Sequence, residues 1–196
     1  MRYLLDNESD DCYEGTNCLI NKLGIKDEEK LQSIETLFSY TKAAELYKSE
    51  YNGKLDFEYY KAIHKYLFED IYFWAGEIRK ADISKKGTYF CEAKELEQNC
   101  ESAFNSLISD NYYCNESQQT YIEKITDFYI LTNFLHPFRE GNGRTQRIFF
   151  THLIKRADHE FSFSSIDSDE LMIATIQAAG GVKDNLISLF RDNIIF

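Results

Sequence analysis

Proline and glycine are scarce: one proline, Pro137, and nine glycines stand in 196 residues. Both residue types interrupt helices, so their scarcity points to a mostly helical domain. No stretch approaches the about 18 apolar residues of a membrane span, and the N-terminus, MRYLLDNESDDCYEG, turns acidic too early for a signal-peptide core. A soluble, cytoplasmic protein with no membrane partner is expected. The five cysteines (Cys12, Cys18, Cys91, Cys100, Cys114) are odd in number and lack CxxC spacing, which suggests neither a disulfide framework nor a zinc site. Basic residues are outnumbered, 22 Lys and Arg against 33 Asp and Glu, for a formal charge of −11. A duplex-binding surface needs clustered cations, so nucleic acid is not an expected direct ligand. A small anion remains possible to bind, because local arginines and backbone amides dominate the field inside a pocket.

What is present is enough apolar matter to fold. Hydrophobic residues make up 43% and aromatics 15%, chiefly 15 Phe and 14 Tyr. With no internal repeat, linker or low-complexity tract, residues 1–196 read as one domain. Asp27 reads as an N-cap before a helix in which Leu31, Ile34, Phe38 and Thr41 recur at helical spacing, running towards Tyr47. A second helix starts near Asp56 and carries Tyr59, Ile63, Tyr66 and Leu67. Between Glu77 and Cys91, Ile78, Ala81 and Ile83, then Thr88, Tyr89 and Phe90, flank the polar turn Ser84-Lys85-Lys86-Gly87, which reads as a β-hairpin. Helices follow over 93–108, 118–134 and 144–157, then near 167–179 and 183–193, the last two separated by Gly180-Gly181.

The chemistry concentrates in one interhelical connection, His136-Pro137-Phe138-Arg139-Glu140-Gly141-Asn142-Gly143-Arg144-Thr145-Gln146-Arg147. Gly141 and Gly143 permit the positive φ values that turn successive amides to one concave side, and the next helix adds its free N–H groups and positive dipole end. Such a loop suits phosphate. Arg144 and Arg147, three apart, share a helix face and can both reach a polyphosphate. Glu140 would repel phosphate unless a cation mediates, and Mg²⁺ is the natural choice. His136 can then act as general base towards an incoming hydroxyl attacking an α-phosphate. The His136/Glu140 spacing is not that of a zinc helix, because Pro137 and Gly141 oppose a helix there. Arg139 reads as a surface residue, His64 and His152 as helix-face residues, His159 as surface, and Trp74, Phe68 and Phe90 as core or flap-base packing.

This stretch resembles the Fic family signature HxFx(D/E)GNGRxxR at all of its specified positions. The resemblance implies an all-α Fic fold, a bundle of about seven or eight helices with one β-hairpin flap over the active site. It also implies roles: His136 as base, Phe138 as core anchor, Glu140 as Mg²⁺ ligand, Gly141 to Gly143 as anion hole with Asn142 fixing phosphate, and Arg144 and Arg147 on the β- and γ-phosphates. The segments 66–72 and 74–79 are similar to the family's approach to its flap. In the family the flap pairs with an extended stretch of the target protein, so Ser84, Lys85, Lys86, Gly87 and Thr88 become candidate docking residues. The activity implied is transfer of AMP from ATP to a hydroxyl of a protein.

Residues 13–15, 21–25 and 148–150 look most like short Fic toxins of toxin–antitoxin pairs, which implies type II topoisomerase subunits as targets. Family members are often silenced by a helix bearing (S/T)xxxE(G/N), whose Glu pairs with the second motif arginine, here Arg147. No stretch matches cleanly: Thr41 to Glu45 is followed by Leu46, Thr88 to Glu92 by Ala93, and Ser188 to Asn193 has Asp192 in place of Glu. A separate small antitoxin supplying the inhibitory helix is therefore expected, with Ser188 to Asn193 as a degenerate internal inhibitor the alternative. The loop reads phosphates rather than the base, leaving UTP, GTP or CDP-choline as other donors. Phosphorylating relatives carry Lys where this chain has Gly143. A non-catalytic nucleotide-binding interaction module is the reading from another class, disfavoured because binding phosphate alone requires neither His136 nor Glu140.

Overall fold

Four of the α-helix starts among the described residues are marked by side chains that accept the first free amides. The computed structural model describes residues 4–5, 11–85 and 88–196. In it Asp27 accepts from the Lys30 amide and opens α1 (Glu28–Lys48), and Asp56 accepts from Tyr59 to open α2 (Phe57–Phe68). Ser117 caps α4 (Gln118–Leu135), and Asp167 caps α6 (Ser168–Ala179). Each such cap satisfies amides that would otherwise lack a partner. α3 (Leu96–Ser109), α5 (Asn142–Arg156) and α7 (Asp184–Asn193) complete seven α-helices among the described residues. None is long and apolar enough to cross a membrane.

The hairpin expected over 77–91 is present, and it is larger than two strands. β2 (Ile83–Lys85) pairs antiparallel with β3 (Thr88–Tyr89), and β1 (Leu4–Leu5) adds to the other edge of β2, with Leu5 opposite Ile83. β1 escaped the sequence reading because two residues are too short for an alternation signal. Lys86 and Gly87, and most of the acidic N-terminal run, lie outside the described residues.

One apolar cluster joins the helices, and Phe149 on α5 sits at its centre. Its ring makes edge contacts with Tyr60 and Phe104 at 5.4 and 5.2 Å and tilts against Tyr59 and Phe128. Thus α5, which follows the signature loop, is held on α2, α3 and α4 together. α7 packs on α4 and α6 through Leu186 and Phe190, the latter edge-on to Tyr129 at 5.3 Å.

α1 differs from its expected face. Only Leu31 of the four periodic residues is buried, while Phe38 and Thr41 are exposed; the inward positions are Leu31, Glu35, Ser39 and Ala43. Apolar periodicity failed here because the inner face is partly polar, with a carboxylate and a hydroxyl committed to a partner on α5. Truncating Phe149 to Ala should cost ~3 to 5 kcal/mol, since a large ring at the meeting point of four helices leaves a cavity. Urea unfolding of the variant, with an unchanged slope and a lower midpoint, would show it.

Candidate active site

The chain leaves α4 through a left-handed turn. His136 caps the helix with φ 45° and ψ 57°, its amide still bonded to the Thr132 carbonyl at 3.2 Å. A non-glycine residue in this conformation costs ~1 to 3 kcal/mol, a strain found where an imidazole must point one way. The Nδ1–H of His136 donates to the Asn133 carbonyl at 3.0 Å, so Nε2 carries the lone pair. The Phe90 ring stacks on the imidazole at 3.9 Å. Burial pushes the His136 pKa down to about 3; the Asn133 bond opposes this, while Lys85 and Arg79 add to it. The imidazole is neutral at physiological pH.

Residues 138–142 form a closed loop. The Asn142 side chain accepts from the Phe138 amide at 2.8 Å and donates to the Phe138 carbonyl at 2.7 Å. Its oxygen and one of its two N–H groups are therefore committed within the loop, and its backbone N–H lies in the first turn of α5. Gly141 has φ 80°, and a Cβ there would lie 2.3 Å from the Phe68 ring, so both conformation and space demand glycine. Gly143, expected to share the positive φ, does not: it is helical, because α5 begins at Asn142 rather than at Arg144. The candidate anion loop is thus one left-handed glycine followed directly by a helix N-terminus.

His64 fastens the loop from below. Gly76 N–H donates to Nδ1 at 2.8 Å, so the proton sits on Nε2 and is given to the Glu140 carbonyl at 3.0 Å. The ring stacks on Phe138 at 3.8 Å, is fully buried, and has its pKa driven down to about 3, mainly by burial. His152 on α5 is likewise buried, accepting from Tyr59 and donating to Leu46. His159 is half-buried against Tyr121 and Phe196 rather than a surface residue. Arg139 is buried too, not surface: it is 6% exposed and pairs with Asp11 at 3.3 Å.

Arg144 is pre-oriented by α1. It bonds Ser39 at 2.7 Å and Glu35, which also accepts from the Tyr72 hydroxyl, and its guanidinium lies over the Phe68 ring at 4.7 Å. Sequence reasoning missed Glu35, Ser39 and Tyr72, because only the fold brings α1 to α5.

These residues surround a cavity of about 490 Å³. His136, Glu140, Gly141, Gly143, Arg144 and Arg147 line one side; Lys85, Thr88 and Phe90 of the flap cover it; Met172, Ile176 and Ala179 of α6 supply an apolar wall. Phe90, read as flap-base packing, belongs to the site. A second cavity of about 650 Å³ adjoins the first at Arg144 and Arg147, and is lined by Tyr40, Tyr47, Lys48 and Lys155. The candidate inhibitor at Ser188 to Asn193 lies on α7; Asp192 is exposed and lines neither cavity, because Leu186 and Phe190 direct that helix at α4 and α6.

A helical bundle that places a neutral histidine, a carboxylate and two arginines around one helix N-terminus, beneath a hairpin, defines a class of phosphate-handling domain. A model of the Fic/DOC family matches residues 54–154, and the chain belongs to that family. It is 32% identical over 191 residues to protein adenylyltransferase VbhT of Bartonella schoenbuchensis, covering 93% of this chain and 40% of that protein. It is 34% identical to probable protein adenylyltransferase y4lH of Sinorhizobium fredii, covering 87% of this chain and 88% of the relative. The chain therefore spans less than half of the first relative and most of the second. The crystal structure of BepC from Bartonella tribocorum, a VirB-translocated effector with bound AMPPNP, superposes with a TM-score of 0.85 at 28% identity over 94% of this chain and 95% of that one.

Two outcomes follow. Gly141→Ala should lower the thermal midpoint and abolish nucleotide binding by calorimetry, because the added methyl meets Phe68. Acid should also weaken the fold. The folded pKa values of His64 and His136 lie below the ordinary 6.5, so unfolded chains bind protons that the native state does not. Their stabilising effect is complete above about pH 6.5 and lost as pH falls towards 3, at up to ~1.4 kcal/mol per pH unit for each histidine. Unfolding midpoints between about pH 6.5 and 5 should fall less steeply in His136→Ala than in the wild type.

Proposed function

We infer that this chain is a protein adenylyltransferase, a single catalytic domain over residues 1–196 that moves AMP from ATP to a hydroxyl of a target protein. The observation that carries the reading is His136, capped in a left-handed turn with Nδ1 committed to Asn133, so that Nε2 is the basic atom on the cavity wall. The target oxygen attacks the α-phosphorus, its proton passes to Nε2 of His136, the bond to the β-phosphate bridging oxygen breaks, and pyrophosphate leaves. Burial alone makes His136 a weak base, but bound phosphates are anionic and favour its protonated form, raising its pKa in the complex. The amides of the first turn of α5, with Arg144 and Arg147, receive the polyphosphate, and Met172, Ile176 and Ala179 face the nucleobase.

The donor set around Glu140 fits Mg²⁺: one carboxylate stands beside two arginines and a helix N-terminus in a pocket otherwise suited to phosphate. Glu140 would hold the ion together with phosphate oxygens, and bound Mg²⁺ would neutralise charge on the leaving pyrophosphate. Such chemistry suits the cytoplasm, where ATP and Mg²⁺ are supplied.

The target docks by adding a strand to the flap. Among the described residues β2 is paired on both sides, which leaves β1 and β3 as the edge strands, and β3 is the one beside the cavity, with Thr88 on it and Lys85 next to it. Control by a separate small antitoxin is supported by the second cavity: Lys48, Arg144, Arg147 and Lys155 with Tyr40 and Tyr47 suit a helix bearing a carboxylate, and α7 does not enter it.

The test is a lysate incubated with Mg²⁺ and α-labelled ATP, with type II topoisomerase subunits also offered as purified targets. Wild type should label a discrete protein and His136→Ala should not, while still binding AMPPNP. A general base contributes ~10² to 10⁴ in rate, so residual label above about a tenth of wild type would argue against the assigned role.

A further inference from the structure

Arg79 is a buried cation without a role in binding phosphate. It is 5% exposed, and it lines neither cavity beside Arg147. Its nearest carboxylate, the half-exposed Asp82, is 3.9 Å away. Taking a guanidinium out of water is costly unless its donors are met, and here they are met by main-chain carbonyls.

The placement of those carbonyls is specific. Nε donates to the His136 carbonyl at 2.9 Å, Nη1 donates to Ala81 at 2.7 Å, and Nη2 donates to Cys91, with Leu135 at 3.5 Å. The Arg79 amide also donates to the Pro137 carbonyl at 2.8 Å. Ala81 lies two residues before β2 and Cys91 two residues after β3. The fork therefore joins both feet of the hairpin to each other and to the backbone of the histidine beneath. A second bond, from the Cys91 amide to the Phe134 carbonyl at 3.0 Å, ties the same foot to the end of α4. Phe90, one residue from Cys91, is the ring stacked on His136. The positive charge also faces the carbonyl end of α4, the favourable end of its dipole.

We propose that Arg79 is a positioning residue for AMP transfer: its guanidinium forms the neck of the flap and sets the height and register of β3 over the imidazole of His136. The proposal rests on the adenylyltransferase reading. A lysine keeps the charge but cannot reach three divergent carbonyls, because its ammonium is a point and not a planar fork.

The experiment compares wild type with Arg79→Lys in three readouts: AMPPNP affinity, transfer of labelled AMP to the protein that the wild type labels in lysate, and amide exchange of residues 83–85 and 88–89. AMPPNP affinity should change by less than about twofold, since the anion loop is built from Gly141 and α5. Transfer should fall ~10²-fold in kcat/KM, the scale of a ~1 Å misplacement of reacting groups, and the flap amides should exchange faster while those of α5 do not. Equal loss of AMPPNP binding and transfer, with faster exchange throughout, would make Arg79 a brace of the fold and overturn the proposal. So would unchanged transfer and exchange.

If the lysine variant does not fold, the wild type answers instead. The Arg79 Nε–H and the flap amides should exchange at a common rate, whereas Nε–H exchange that tracks the slowest core amides would count against the neck. Should the wild type transfer no AMP at all, the adenylyltransferase reading fails, while flap exchange in the two proteins still decides whether the neck exists.

Discussion

The carbonyl end of α4 and the amide end of α5 are brought together by a loop of six residues, 136–141, and the rest of the site depends on that reversal. A helix C-terminus carries partial negative charge and a helix N-terminus partial positive charge. The chain uses each end differently. At the negative end the imidazole of His136 donates to Asn133 and the cation of Arg79 is buried among carbonyls. At the positive end the amides after Gly141 open towards the cavity beside Arg144 and Arg147. The Asn142 side chain locks the reversal by bonding the Phe138 backbone twice, and only glycine fits at 141 because the Phe68 ring occupies the space a side chain would need.

Around this reversal the packing is arranged so that chemistry and support come from different elements. Phe138 and His64 stack beneath the loop, and the Nε2–H of His64 donates a hydrogen bond to the Glu140 carbonyl, which fixes the backbone that carries the carboxylate. α1 supplies Glu35 and Ser39 to Arg144, committing part of that guanidinium and directing it. An arginine anchored in this way loses less side-chain freedom when it meets a phosphate. The same helix forms one wall of the second cavity, beside Arg144 and Arg147.

The flap beside the site is built from short strands. Its strands are three and two residues long, too short to hold themselves in water. They persist because β1 pairs with β2 and because the hairpin's feet are bonded to the end of α4. Among the described residues that arrangement leaves β3 an edge strand near His136, with Tyr89 exposed on it.

The sequence by itself determined the helical class, the N-cap at Asp27, helix starts near residues 56, 118 and 167, the hairpin between 77 and 91, and a glycine-bounded loop between two helices at 136–147. These are local properties: a cap, a turn or a glycine-bounded anion loop is written within a few consecutive residues. What only the tertiary structure decided involves residues distant in sequence. Glu35 pairs with Arg144 across 109 positions, and Arg79 reaches His136 across 57. Such polar pairs break apolar periodicity, which is why the inner face of α1 read wrongly and why Arg139 passed for a surface residue. The commitment of the Asn142 side chain to Phe138, and the helical conformation of Gly143, were equally hidden. A residue type states what bonds it can make, and only the neighbours brought by the fold decide which of them it makes.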